Sequence, residues 1–238
     1  MNSLSIIIPC YNEDENIFPL FEKIKELLTH DNSIEVIIVD NGSTDSTNKN
    51  ILSSNLYLEK KIKVVEVNSN IGYGHGIMSG VNIAQGQFIG WCHADLQTEP
   101  MDIFNAYSSN IDNLRQGNCI IKGLRKNRNF FDALFTFGMS LFASLIFLKK
   151  INDINAQPKL FPRSFLKVIK DYPSDFSLDL YFLIMAKSNN YRIINHEVIM
   201  KKRLHGEAKG GGTLKGKIKL IKRTVIYIFE LKKKLWNL

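Results

Sequence analysis

The sequence predicts an α/β protein built on a mainly parallel, doubly wound sheet. Two observations carry that prediction. Short β-branched runs alternate with amphipathic helical stretches, which is the pattern of parallel strands joined by crossover helices. Polar residues also crowd where the apolar runs end, and in α/β sheets ligands sit at the carboxyl ends of strands. The 238 residues suffice for one α/β domain or for one domain with an appendage.

The first strand is Leu4 to Ile8, followed by the polar turn Pro9-Cys10-Tyr11-Asn12-Glu13. A helix then carries Ile17, Leu20, Ile24, Leu27 and Leu28 on one face. The second strand, Val36 to Val39, ends at Asp40 and leads into Asn41-Gly42-Ser43-Thr44-Asp45, a turn rich in helix-capping residues. Ile62 to Val67 is the third. Asn70-Ile71-Gly72-Tyr73-Gly74-His75-Gly76 follows and opens a helix. Its glycines either bring backbone N–H groups to a phosphate or merely reverse the chain. The fourth strand, Phe88 to Cys92, runs into His93-Ala94-Asp95-Leu96-Gln97, and Pro100 begins the next helix. Cys119 to Leu124 is a further strand, ending on Arg125-Lys126-Asn127-Arg128.

Phe130 to Leu148 is strongly apolar and approaches the roughly 20 residues that span a bilayer. Asp132, Thr136, Ser140 and Ser144 recur every four residues, which predicts helices lying on the core or on a membrane surface rather than a span. Ile151 to Phe161 reads as a polar loop, Asp175 to Phe182 as the start of an apolar helix containing Asp179, and Tyr191 to Ile199 as a strand. The basic, glycine-rich segment 201–212 reads as a loop able to close over a diphosphate, or as a solvated linker. From Leu214 a basic amphipathic helix runs to Trp236, fitting a membrane interface or an oligomer contact.

Composition narrows the function. The net charge of +8 is concentrated at one end: residues 201–238 carry 12 Lys+Arg and 2 Asp+Glu, leaving the rest near neutral. That argues against a nucleic-acid-binding surface and for a phosphate-rich substrate, an anionic membrane face, or both. Cys10, Cys92 and Cys119 form no metal or disulfide pattern, which suits reduced thiols in the cytoplasm. The chain opens directly on a strand pattern, so no secretory leader is expected. No glycine fingerprint follows the first strand, which disfavours a dinucleotide-dependent oxidoreductase. In extended backbone His93, Asp95 and Gln97 share one side. An imidazole, a carboxylate and an amide oxygen suit Mg²⁺ or Mn²⁺, although an ordinary polar loop also explains them.

Taken in order, Ile8-Pro9-Cys10-Tyr11-Asn12-Glu13, Val39-Asp40-Asn41-Gly42-Ser43-Thr44-Asp45, Asn70-Ile71-Gly72-Tyr73-Gly74, Ala94-Asp95-Leu96-Gln97 with Pro100, and Arg203-Leu204-His205-Gly206-Glu207-Ala208-Lys209 resemble glycosyltransferase family 2. The similarity is greatest to its dolichyl- and polyprenyl-phosphate sugar transferases. The resemblance implies the single-domain glycosyltransferase A fold over residues 1–212, with 213–238 as a basic helical tail. It implies that Pro9, Tyr11, Glu13, Asp40, Asn41, Gly72, His93 and Ala94 hold a nucleoside-diphosphate sugar. Asp95 and Gln97 match metal ligands, with His93 where the family has the first Asp of a D-x-D motif. Asn41 likewise replaces an Asp that commonly contacts the base. Arg125 matches a position near the phosphates, and Arg203 and Lys209 a diphosphate clamp. Residues 153–161 match the acceptor-side loop, and Asp179 an acidic residue beside it.

The expected activity is inverting sugar transfer to a polyprenyl phosphate or lipid-linked glycan, at the inner membrane face through 130–148 and 214–238. A phosphate acceptor needs no base. A hydroxyl acceptor would require one, with Asp179 and then Asp153 as candidates. A soluble glycan-building transferase and an inactive nucleotide-sugar binder are the alternatives.

Overall fold

The computed structural model describes residues 3–127, 130–206 and 214–236. In chain order the elements are β1 (Leu4–Cys10), α1 (Asp14–His30), β2 (Glu35–Asp40), α2 (Thr47–Leu52), α3 (Asn55–Leu58), β3 (Lys63–Glu66), α4 (Tyr73–Ile83), β4 (Phe88–Trp91), α5 (Pro100–Ser109), α6 (Ile111–Arg115), β5 (Cys119–Lys126), α7 (Phe130–Phe147), β6 (Lys159–Pro162), a 3-10 turn (Arg163–Val168), α8 (Leu178–Ser188), β7 (Arg192–Ile199) and α9 (Leu214–Trp236). The sheet order is β3-β2-β1-β4-β6-β5-β7. Every pairing is parallel except those of β6, which runs antiparallel to both β4 and β5. The mainly parallel, doubly wound sheet predicted from sequence is present.

Both faces of the sheet are covered, so its central strands are apolar throughout. Ile6 and Ile8 of β1 point into one core with α1 and α5, and Ile7 points into the other with α4 and α8. α4 lies close on the strands because Gly80 has no side chain. A Cβ there would sit 2.5 Å from Ile7 Cγ2 and 2.8 Å from Val39 Cγ2.

Three sequence expectations need correction. Residues 159–161 are strand, not loop. Lys159 looks foreign to a buried strand, but Leu160 and Phe161 insert on opposite faces and complete both cores. Residues 130–147 form one helix rather than several. Ser140 and Ala143 are buried and Ser144 bonds the backbone of Ile151, whereas Leu134, Phe137, Leu141 and Leu145 are exposed. Ser140, Ala143 and Phe147 pack on the protein with Met139, Phe142 and Ile146 beside them, and a second apolar face made by Leu134, Phe137, Leu141 and Leu145 points out. Among the described residues no helix is long and apolar enough to cross a membrane. Thirdly, the spacing of Leu214, Ile218, Ile221, Val225 and Ile228 predicts one shared helical face, but Ile218 of α9 faces out, while Ile228 and Leu231 are buried in the core shared with α7 and α8. Phe142 and Phe229 join α7 to α9 edge-to-face at 6.0 Å.

Phe161 meets Trp91, Phe165 and Phe182 with ring centroids at 5.7, 5.8 and 5.3 Å, and is almost completely buried. Phe161→Ala should cost about 3–5 kcal/mol. A guanidinium midpoint that falls at an unchanged m-value is the expected readout.

Candidate active site

A cavity of about 470 Å³ opens at the carboxyl ends of β1 and β4. β1 pairs with β2 on one side and β4 on the other, so successive crossovers leave in opposite directions there. Such a switch point leaves a crevice at the strand ends. The cavity collects Pro9, Tyr11, Glu13, Asn41, Gly72, His93, Ala94, Asp95, Gln97, Arg125, Asp179 and Arg203 from the sequence-derived candidates. Asp40 and Asp153 stand behind its wall. Asp40 Oδ1 accepts from the Ser43 N–H at 3.0 Å and shapes the turn after β2. Asp153 accepts from Arg125 through its backbone N–H and Nε, both at 3.0 Å, and its carboxylate also pairs with the guanidinium Nη2. That contact holds the Asp153 carboxyl below the usual carboxylate range against the opposing effect of burial. Lys209 lies outside the described residues.

Asn41 Nδ2 donates to Gly72 O at 3.0 Å, and its buried Oδ1 has no partner among the described residues. An acceptor is thus left over at the cavity wall. Gly72 adopts φ +146°, and a Cβ on it would lie 2.4 Å from Ser174 O. His75 N–H donates to the same carbonyl at 2.9 Å. The glycine turn therefore packs α4 against segment 173–175, and the His75 N–H is already used.

The expectation that His93, Asp95 and Gln97 share a side by strand alternation is incorrect. β4 ends at Trp91, and Leu96 at φ +57° turns the chain. The turn nevertheless brings all three to the cavity. Asp95 Oδ1 accepts from the Gln97 N–H at 3.0 Å, and Oδ2 accepts from Arg203 Nη2 at 2.6 Å. Lys201 N–H donates to Gln97 O at 3.0 Å, so segment 201–203 is pinned over the β4 turn. No group of three His, Cys, Asp or Glu side chains suited to a metal occurs among the described residues. One carboxylate, one amide and one imidazole at a shared cavity still fit a hard cation that takes its other oxygens from phosphate and water.

The floor of the cavity is a polar network that sequence reasoning missed. Lys159 Nζ donates to Asp179 Oδ1 at 2.6 Å, with both side chains at most 2% exposed. Gln157 Nε2 donates to Asp179 Oδ1 at 3.2 Å and to the Tyr73 hydroxyl at 3.0 Å. That hydroxyl lies 3.4 Å from Asp179 Oδ2 and 3.0 Å from His93 Nε2. Burial, then the Asp179 charge, pushes the Tyr73 phenol well above its usual value, so it stays protonated. Burial also lowers the Lys159 ammonium, an effect that Asp179 opposes. Tyr73 stacks on Phe176 at 4.7 Å. Arg223 of α9 lies over the other ring system at 5.3 Å from the Phe176 centroid and 3.0 Å from Asp175. Leu220 and Arg223 thus line the cavity too.

The sequence pattern of Glycosyl transferase family 2 matches residues 5–136. The dodecaprenyl-phosphate galacturonate synthase of Rhizobium johnstonii is 28% identical over 176 residues, covering 70% of this chain and 50% of that protein. The dolichyl-phosphate beta-glucosyltransferase of Dictyostelium discoideum is 29% identical over 216 residues, covering 80% and 64%. The chain therefore spans only half to two thirds of these relatives. Among solved structures, glucosyl-3-phosphoglycerate synthase from Mycobacterium tuberculosis in complex with Mn²⁺, UDP-glucose and phosphoglyceric acid superposes with a TM-score of 0.76. Its identity is 15%, over 98% of this chain and 80% of that one.

Removing Lys159 strands a buried carboxylate. Lys159→Met should destabilise the protein by about 3–5 kcal/mol, and replacing both partners with apolar residues should recover much of the loss. Urea unfolding of the two variants checks this.

Proposed function

The chain belongs to glycosyltransferase family 2 and has the glycosyltransferase A fold; from that membership we propose that it transfers a sugar from a nucleoside diphosphate to the phosphate of a polyprenyl lipid, with inversion. The observation that carries the acceptor class is that the carboxylates lining the cavity are engaged. Glu13 accepts from Asn16, Asp95 from Arg203, Asp175 pairs with Arg223, and Asp179 with Lys159. A hydroxyl acceptor must lose its proton to a base, whereas a phosphate monoester is already ionised. Asp179 is then a positioning residue, holding Tyr73 against His93.

In this reading Pro9, Tyr11 and Glu13 cradle the nucleoside, and the spare Asn41 Oδ1 accepts an N–H of the base. A phosphate oxygen attacks the anomeric carbon as its bond to the diphosphate breaks. Arg203 and Arg125 neutralise the charge that develops on the leaving group. Asp95 and Gln97, with His93, would hold Mg²⁺ or Mn²⁺, and the cation would supply further charge neutralisation there. Arg203 must leave Asp95 to admit it. The names of the relatives, which refer to lipid phosphates, support the acceptor. The outward apolar face of α7 beside the basic α9 supports a peripheral seat on the cytoplasmic membrane face.

Thermal unfolding with a panel of nucleoside diphosphates, with and without Mn²⁺, tests the donor site. A matching nucleotide at a hundredfold excess over its Kd should add about 2.7 kcal/mol. Asp95→Ala should remove the metal-dependent part. Sugar transfer to a short polyprenyl phosphate, and none to soluble glycans, is the expected acceptor result. The reverse would overturn the lipid assignment. Leu141→Ser with Leu145→Ser should weaken flotation with anionic vesicles several-fold and leave the unfolding midpoint almost unchanged, because both side chains are exposed.

A further inference from the structure

Lys122 is the oddest residue of the sheet. It follows the core residue Ile120 on the same face of β5, and it is fully buried. Its cross-strand partners are Lys159 on β6 and Asn195 on β7. Lys159 has Asp179 as counter-ion. Among the described residues Lys122 has no carboxylate within ion-pair range: its Nζ donates to Gly123 O at 2.8 Å and Asp153 O at 3.4 Å. Two lysines side by side in a sheet repel, and a buried ammonium without a counter-ion is costly. The residue nevertheless lines a separate cleft of about 120 Å³, with Lys150, Lys187, Asn152 and Asn195 around it. Ile151, Leu183 and Ile193 complete the wall, and among the described residues no acidic one lines it. That volume suits a tetrahedral oxyanion and is too small for a nucleotide.

We propose that this cleft, between the end of α7, β5, β7 and α8, is a second anion site that takes a phosphate group, either free or on a lipid headgroup. Lys122 is its buried contact, and Lys150 and Lys187 guard the mouth. An anion there supplies the missing counter-charge. It also bears on the catalytic side, because Lys122 bonds the backbone of Asp153, whose carboxylate positions Arg125. The proposal stands on the cleft itself and does not depend on the reaction proposed above.

The site has a titration signature. Burial, followed by the charge of Lys159, lowers the Lys122 ammonium to about 7, with Arg125 acting the same way and Asp153 and Asp179 opposing. Lys150 and Lys187 add further positive charge at the mouth. Lys122 is therefore mostly neutral above about pH 7 and charged below it. Sulfate, whose charge is constant in this range, should bind about tenfold more tightly at one pH unit below that midpoint than at one unit above it.

Two measurements on the full chain test this. Crystals soaked in selenate should give an anomalous peak in the cleft. Calorimetric titration with sulfate should show the pH dependence in the wild type and its loss in Lys122→Met. Because Lys122→Met risks misfolding, Lys150→Ala with Lys187→Ala serves as the second variant. It should weaken cleft occupancy about tenfold while the unfolding midpoint holds. Vesicles of phosphatidylcholine with and without phosphatidic acid separate the sources. Selective loss of phosphatidic acid binding in the double variant identifies a headgroup, and an unchanged vesicle response with reduced sulfate binding identifies free phosphate. No selenate in the cleft, together with equal sulfate affinity in wild type and double variant, would overturn the proposal.

Discussion

The buried pair between Lys159 and Asp179 is the contact on which the rest of the site depends. It joins β6, the antiparallel strand, to the first turn of α8, and Gln157 and Tyr73 extend it to the loop before β6 and to α4. Remove its charges and Tyr73 keeps only the Gln157 amide and its stack on Phe176 to hold it against His93. Ion pairs of this kind contribute little net stability compared with apolar packing, because desolvation offsets most of the attraction. Their value here lies in direction: each oxygen of Asp179 accepts from a defined donor, so the ring and imidazole above it have one arrangement.

Position follows from topology. β1 leaves its neighbours on opposite sides, and the crevice this creates is filled by turns from β1, β2 and β4. The β4 turn supplies the carboxylate, and segment 201–203 covers it from above. α9 closes the remaining side with Leu220 and Arg223, and its buried Ile228 and Leu231 anchor that wall in the same core as α7 and α8. The C-terminal helix is thus structural for the cavity on one face while presenting Ile218, Ile226 and Phe229 outward on the other.

Much of this was legible in the sequence, for physical reasons. β1, β2 and β4 are buried on both faces, so they read as continuous apolar runs that few other structures tolerate. The turns after them were legible because polar groups are concentrated there. β6 was not, because its lysine is neutralised by an aspartate twenty residues away, and burial of a charge pair leaves no periodic trace. Tyr73 and Gln157 were likewise invisible as partners, since their roles arise only when α4 and the loop meet over Asp179. The orientation of α7 was not legible, because hydropathy marks two faces without saying which one turns inward. Ser144 decides it by bonding the Ile151 backbone, a contact made only after the chain has folded back. His93, Asp95 and Gln97 do meet at one cavity, but a left-handed residue at Leu96, not strand alternation, brings them there.

The ion pair between Arg203 and Asp95 makes the protein its own competitor. Any ligand that needs the Asp95 carboxylate meets one already occupied, so its apparent affinity is the intrinsic value reduced by the fraction of time Arg203 is released. Weak or abundant ions that cannot also give Arg203 a new anionic partner are filtered out by that exchange. A ligand bringing phosphate oxygens along with a cation satisfies both halves of the pair at once. Under the proposed function the contact would act as a coincidence detector, letting go most readily when two chemically different species arrive together.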